Sequence, residues 1–398
     1  MSTGFPLAVN NGSVDLISRA DLERLPAWRE TFATQSKDHR YYDIVEHTLE
    51  GFEHRYLVFK DNAGVVRGIQ PVFFLRQNLV EGMRGKFRSI VETIRRKFPR
   101  FLTMRVLMVG CAAGEGHLGS RSPQDEAWVS QALHASLQSV ARQGKASLIV
   151  LKDFSSCYRP ALQNFSINGY TRVPSMPMTR LSLRHASFDD YLATIGYVTR
   201  KSLRRKLRKT DRTAKITMET LTDITPYLDE IYPLYLQVHE RSSMKFERLT
   251  KQYFQQLAEL MPDRVQYFIW RQQDEATERQ APPLRIIAFS CCIIHDGKIY
   301  DECLGLDYKV ALDLHLYFYT LRDVLTWGMK HGLTEYISAP LNYDPKLHLG
   351  CELMPLDLYV RHTAPVLNAI FGRILPYLEP TRHDPVLRRF PNADAMLN

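Results

Sequence analysis

The sequence predicts an α/β protein in which one structural unit is used twice. The first observation is length: 398 residues exceed one ordinary hydrophobic core and suit two domains of about 150–200 residues each. The second is composition: 45% apolar residues can fill two cores, and no apolar run approaches the ~20 residues needed to span a bilayer. The third is a repeated order of signals, in which a hairpin leads to a helix closed by glycine and then to a return strand.

The elements follow in chain order. Residues 14–50 are expected to be helical, with a cap before Asp21-Leu22-Glu23. A hairpin comes next: HRYLVFKD, the turn Asn62-Ala63-Gly64, and VVRGIQPVFFLRQ, with β-branched and aromatic residues in alternation. Residues 84–98 read as an amphipathic helix: Phe87, Ile90, Val91, Ile94 and Phe98 share a stripe, and Pro99 ends it. VLMVG is a strand running into the glycine-rich GCAAGEGHLG. A helix over 125–142, Gly144 and the strand SLIVLKD complete the first round.

The second half repeats the order. VQYFIWRQQ is a strand, followed by a polar loop over 272–283. A hairpin then runs LRIIAFSCCII, the turn His295-Asp296-Gly297, and KIYDECLGL. A helix over 312–331 ends at Gly332, and TEYISAP returns as a strand. The match between the halves lies in this order of elements rather than in residue identity. Segments 120–125 and 380–398 are expected to be loops.

Charge is local. The chain carries +9, yet residues 84–105 hold eight Lys/Arg against Glu92, and residues 200–215 hold nine against Asp211. The remainder is therefore net negative, and the two basic segments point to anionic partners: phosphates, nucleic acid or a membrane surface. The six cysteines form no CxxC pair, and no His/Cys/carboxylate group has metal-ligand spacing, so free thiols in a reducing cytoplasm and no metal are expected. The N-terminal MSTGFPLAVNNGSVDL lacks the pattern of a secretory signal.

Three stretches carry a family resemblance: SFDDYLATIGYVTRKSLRRKLRKT, GLDYKVALDLHLYFYTLRDVLTWGMKHGL, and NYDPKLHLGCELMPLDLYV, the last with a lysine four residues before a glycine. Over about residues 40–370 the chain resembles the tandem GNAT proteins related to Fem-type aminoacyltransferases and to predicted bacterial N-acyltransferases. The resemblance implies two GNAT-like domains, each a mixed, mostly antiparallel sheet flanked by helices. The first would span 14–182 and the second, with the active site, 183–378, followed by a C-terminal tail over 379–398. It implies N-acyl transfer from acyl-CoA or an acyl carrier to a small-molecule or peptide amine. An aminoacyl-tRNA donor is one alternative, and a non-catalytic module binding an anionic polymer or lipid is another. One departure is plain. Single-domain GNAT enzymes cradle the CoA pyrophosphate with an Arg/Gln-x-x-Gly-x-Gly/Ala turn, and GLDYKVALDLH lacks those glycines.

Candidate site residues follow from the chemistry. Acyl transfer to an amine needs an oxyanion donor, a proton acceptor and a place for the carrier's charge. Lys346 occupies the position where the Fem-type pattern has a lysine beside the acyl carbonyl. Asp301, Glu302 and Asp307 are candidate proton acceptors on the central strand, with Glu302 and Asp307 preferred; alternation points Asp301 and Glu302 to opposite faces, so at most one of them faces a given cleft. Arg204, Arg205 and Arg208 present guanidinium groups along one helix, a surface suited to phosphate, carboxylate or RNA. Tyr343 and His315 are expected substrate contacts. Against each stands a plainer reading: a solvated basic helix, a surface loop lysine, a solubilising strand carboxylate, a packed histidine. GCAAGEGHLG reads either as an anion-binding turn or as a flexible connection. The helix 84–98 would cover an acyl pocket, pack on a core, or touch an anionic membrane at the inner face.

Overall fold

The computed structural model describes residues 6–78, 93, 103–242, 245–273 and 284–397. The expected helix 84–98, with the membrane contact assigned to it, lies outside the described residues apart from Thr93, as does the loop 274–283. The protein is an α/β structure that divides into two compact units.

The first unit comprises Met1–Met176, Pro355–Asp384 and Met396–Asn398. Its sheet runs in the order β1 (Leu7–Val9), β2 (Gly12–Ile17), β3 (Glu53–Asp61), β4 (Val66–Asn78), β5 (Thr103–Val109), β6 (Leu148–Ser155) and β13 (Glu352–His362). Neighbours are antiparallel except β5 and β6, whose parallel register pairs Val106 with Leu148 through Val109 with Leu151. A parallel pair needs a crossover, and the helix Glu126–Gln143 supplies it. Val129, Leu133, Leu137 and Val140 of that helix are fully buried against Leu57, Val72, Leu107 and Ile149 of the sheet. The helical expectation for 14–50 fails at its start: Gly12–Ile17 is a strand paired with Tyr56–Asp61, and helices cover only Arg19–Leu22, Ala27–Glu30 and His39–Thr48. The alternation in SVDLI, which buries Val14, was the signal for a strand.

The second unit comprises Pro177–Met354 and Pro385–Ala395. Its sheet runs β7 (Thr171–Ser182, entering from residue 177), β12 (Glu335–Ser338), β11 (Lys298–Leu306), β10 (Leu284–His295), β9 (Val265–Gln273) and β8 (Ile216–Leu221). Again one neighbouring pair is parallel, β11 with β12, and again a helix, Leu316–Lys330, makes the crossover. Both units are thus mixed, mostly antiparallel sheets flanked by helices. The sequence assigned segment 355–378 to the second half, but it clusters with the first unit, where β13 pairs with β6. The expected tail is also folded: Leu387 and Phe390 are buried in short turns, and Asn392 exchanges hydrogen bonds with the Leu353 backbone. Among the described residues no helix is long and apolar enough to cross a membrane.

Candidate active site

The centre of the second unit is a fork. The parallel ladder of β11 and β12 ends at Asp301 and Ser338, while β11 continues to Leu306. A bulge marks the same point: Cys291 faces Cys303 and Cys292 faces Asp301, so the register steps past Glu302. Bulges re-aim side chains, and they recur beside active sites.

Asp301 sits at the fork on a polar shelf of three strands. Its carboxylate accepts from Ser290 Oγ at 2.8 Å and from Tyr336 OH at 2.6 Å. Burial pushes its pKa up, opposed by the Tyr336 and Ser290 hydrogen bonds and by the Lys346 ammonium. A carboxylate raised in this way moves toward the range where it can accept and return a proton at neutral pH.

Lys346 approaches from the chain after β12. That chain turns through Pro340 and two left-handed residues, Leu341 (φ 77°) and Asn342 (φ 53°), into the short helix Tyr343–His348. Left-handed backbone at a residue as bulky as leucine costs on the order of 1–3 kcal/mol, so the surrounding structure must enforce it. The helix ends in a Schellman turn: Cys351 N–H donates to Lys346 O at 3.0 Å and Gly350 N–H to Leu347 O at 3.1 Å, with Gly350 at φ 76°. The Lys-x-x-x-Gly spacing therefore has a local cause. Glycine occupies the left-handed position closing the helix, and the lysine lies one turn earlier, facing inward.

The plainer sequence reading, a surface loop lysine, does not hold: in the structure Lys346 is helical and only 5% exposed. Its ammonium donates to the Ala339 carbonyl at 2.5 Å and stands 5.6 Å from the Tyr343 ring centre. Burial lowers its pKa to about 8, with Cys351 and Asp301 acting in the opposite direction. The lysine is thus mostly an ammonium at neutral pH, in a desolvated place where its charge acts strongly. Burial pushes the Cys351 thiol up to about 12, and holds Cys292 well above its ordinary value. Neither is a thiolate at neutral pH, which argues for direct attack rather than an acyl-cysteine intermediate.

The helix Leu316–Lys330 joins this cluster to the basic strip. Tyr317, near its start, is pushed up by burial among Cys351, Asp301 and Asn342. His315, two residues earlier, is lowered by burial and then by Lys209, Lys206 and Arg205 of the helix Tyr197–Thr213. That helix docks through Thr210, whose hydroxyl donates to Leu314 O at 2.6 Å, and Lys206 lies 4.0 Å over the Phe318 ring. Leu203 and Leu207 form its buried edge. Arg205 and Arg208 are exposed; Arg204 pairs with exposed Asp189 at 2.9 Å.

Other expected residues are placed differently. Asp307 lies past the end of β11, about six residues or ~20 Å along the strand from Asp301. It accepts from Arg285 at 2.5 Å and from the Lys309 N–H at 3.0 Å, which makes it an anchor for the turn after β11. Tyr343 is buried and its hydroxyl donates to Pro177 O at 2.8 Å, so it supports the lysine from beneath. Glu302 sits at the bulge, close enough to raise the Cys291 thiol together with Cys303 and burial. Lys346, Asp301, Tyr317 and Tyr336 are the residues the fold gathers, with Ser290 behind them. Of these Lys346 was chosen from sequence, and Asp301 was weighed there as the alternative to Glu302 on the opposite face. Counting the antiparallel register back from the His295-Asp296-Gly297 turn would have placed Asp301 opposite Cys292 and on the face of Ser290.

A buried lysine and a buried carboxylate thus meet at a strand fork beside a basic helix, and the family the sequence matches is one of acyl- or aminoacyl-transferring enzymes with a GNAT-type fold. The sequence profile of the FemAB-like family, described as peptidoglycan biosynthesis and recognition, matches residues 91–334, and the chain belongs to that family. No curated protein sequence matches. Among solved structures, FemX is similar over 86% of this chain and 96% of its own, at 12% identity and a TM-score of 0.53. The C-terminal domain of a putative lysylphosphatidylglycerol synthetase from Agrobacterium fabrum aligns over 85% of this chain and 94% of its own (12% identity, TM-score 0.47). A tandem GNAT protein from the clavulanic acid biosynthesis pathway aligns over 88% and 99% (12% identity, TM-score 0.46).

Proposed function

We propose that the chain moves an acyl or aminoacyl group from a polyanionic carrier to a primary amine at the Asp301–Lys346 fork. The observation that carries this reading is the start of the helix Leu316–Lys330. There His315 meets the basic strip and Tyr317 meets the Lys346–Asp301 cluster, two residues apart. A carrier bound on the strip therefore lies at the same helix end that abuts the Lys346–Asp301 cluster.

The amine nitrogen attacks the carbonyl carbon, forming the C–N bond and leaving charge on the carbonyl oxygen. The Lys346 ammonium, turning from Ala339 O, stabilises that oxyanion. Asp301 takes the proton lost by the amine. Collapse of the tetrahedral intermediate breaks the bond to the carrier oxygen or sulfur, and the same proton passes to the leaving group.

Two carriers meet these requirements, aminoacyl-tRNA and acyl-CoA. The cations from Arg200 to Arg212 extend over twelve residues of helix, ~18 Å, which exceeds one diphosphate and favours the nucleic acid. The family description favours an amine on a peptide, in keeping with a cytoplasmic setting. Glu302, Tyr343 and His315 would act around this centre rather than on the reacting atoms, and Asp307 holds the turn after β11.

The test replaces Arg204, Arg205 and Arg208 together with alanine and measures binding and turnover of aminoacyl-tRNA and acyl-CoA against salt. Weaker tRNA binding with a salt slope reduced by roughly two to three is expected. An unchanged slope removes the strip from carrier binding, and donor binding without turnover of any donor would mark a binding module.

A further inference from the structure

The helix Pro365–Leu378, sequence PVLNAIFGRILPYL, belongs to the first unit and contains no buried residue. One face is nevertheless held. Asn368 accepts from the His362 N–H and donates to Gly169 O, both at 2.8 Å. The Phe371 ring lies 5.5 Å from the His362 ring. A side chain at Gly372 would come within 3.3 Å of Thr171. These positions, with Leu375, form the inner face at helical spacing.

The outer face should then be polar, and it is not. Val366 (75% exposed), Ile370 (44%), Ile374 (45%) and Tyr377 (67%) recur there at helical spacing, flanked by Leu367 and Leu378. Six of the fourteen exposed large hydrophobic residues among those described lie on this one helix. Ile167, 73% exposed, ends a short helix whose following Gly169 carries the Asn368 contact, so it extends the patch. Scattered exposed leucines need no explanation, but a concentration of this kind marks an interaction surface.

The charges nearby are mostly positive. Arg373 is the only charged residue within Pro365–Leu378, and Glu379 follows at its end. Arg373 lies among the outer residues, Arg361 rests over Tyr170, and Arg382 stacks 5.0 Å from the Tyr377 ring. A second copy docked on this face would set these three arginines against the same cations, with Glu379 the carboxylate nearest in sequence. An anionic bilayer answers both features: acyl chains take the aliphatic stripe, lipid phosphates take the arginines, and tyrosine favours the boundary between them. We propose that this face seats the protein on the surface of an anionic membrane, with the helix lying in the interfacial plane.

The test uses the full chain and co-sedimentation with vesicles of phosphatidylcholine alone or mixed with phosphatidylglycerol, alongside sedimentation equilibrium without lipid. Binding to the anionic vesicles is expected. The double variant Ile370→Glu, Ile374→Glu should reduce it at least about tenfold with an unchanged melting temperature, since both side chains already face solvent. Arg373→Gln should weaken binding to the anionic vesicles and leave the zwitterionic ones unaffected. The proposal is overturned if the double variant binds vesicles as the parent does. It is equally overturned if neither binds and the variant instead turns a dimer into a monomer.

Discussion

The forks of the two units show the same topology put to different uses. In the first, β5 and β6 run parallel to Val109 and Leu151, and the glycine-rich segment after β5 then returns into the sheet. Gly116 bridges to Phe154 and its N–H donates to Asp153 O, and Lys152 donates to Gly114 O. A Cβ at Gly116 would stand 2.4 Å from the Lys152 carbonyl, so the glycine is there to let backbone meet backbone. Glu115 carries its charge inside this plug, 2.6 Å from Lys37. Burial alone would raise that carboxyl, but Lys37 and His117 hold it well below its ordinary value. In the second unit the fork brings together Asp301 and Lys346 instead. The two units share the strand order around their parallel pair, and the segment after β5 closes the first fork with glycines and a buried ion pair.

That comparison can be broken from the first unit. Removing one partner of a buried ion pair costs roughly 3–5 kcal/mol, so Glu115→Ala should lower unfolding free energy by about that amount. Turnover per folded molecule should stay within about twofold of the parent. A catalytic defect without loss of stability would mean that the first fork is a site and not a plug. In the second unit, Asp301→Asn keeps size and most hydrogen bonds but removes the proton acceptor, and should cost on the order of 10²-fold in kcat. It should also abolish the acid limb of the pH–rate profile, a change that a packing defect would not produce.

A smaller effect sharpens the contrast in stability. Lys346 is lowered to about 8, so between that value and the unfolded pKa near 10.5 the unfolded chain holds more protons, and stability rises with pH across this window. Below pH 8 the lysine therefore penalises the fold by roughly 3 kcal/mol, less the gain of its bond to Ala339 O. Lys346→Met should stabilise the protein by about 1–2 kcal/mol at pH 7, and the difference should vanish above pH 10.5 in denaturant titrations. A destabilised variant at pH 7 would show that the lysine is there for packing.

The parts legible in the sequence were those set by neighbours in the chain. Alternation with Asn62-Ala63-Gly64 and His295-Asp296-Gly297 gave both hairpins, and Gly144 and Gly332 marked the ends of both crossover helices. The basic helix was plain from its charge, and it spans Tyr197–Thr213. What escaped depended on distant partners. Asp307 read as a free carboxylate because Arg285 lies 22 residues away. Glu302 was preferred over Asp301 because alternation does not say which face meets partners, and the Tyr336 hydroxyl reaches Asp301 only because β12 returns parallel. Lys346 was chosen by resemblance, while its burial depends on a left-handed turn that the residues Pro340-Leu341-Asn342 do not announce.

The central claim is that the second fork alone performs transfer and that Lys346 stabilises the oxyanion there. The most direct measurement is single-turnover transfer by Lys346→Ala and Lys346→Arg, with circular dichroism melting on the same samples. The account predicts a fall of about 10²–10³-fold for alanine, the cost of one lost oxyanion donor, with partial recovery for arginine and no loss of stability in the alanine variant. Transfer by Lys346→Ala at the parental rate would contradict it.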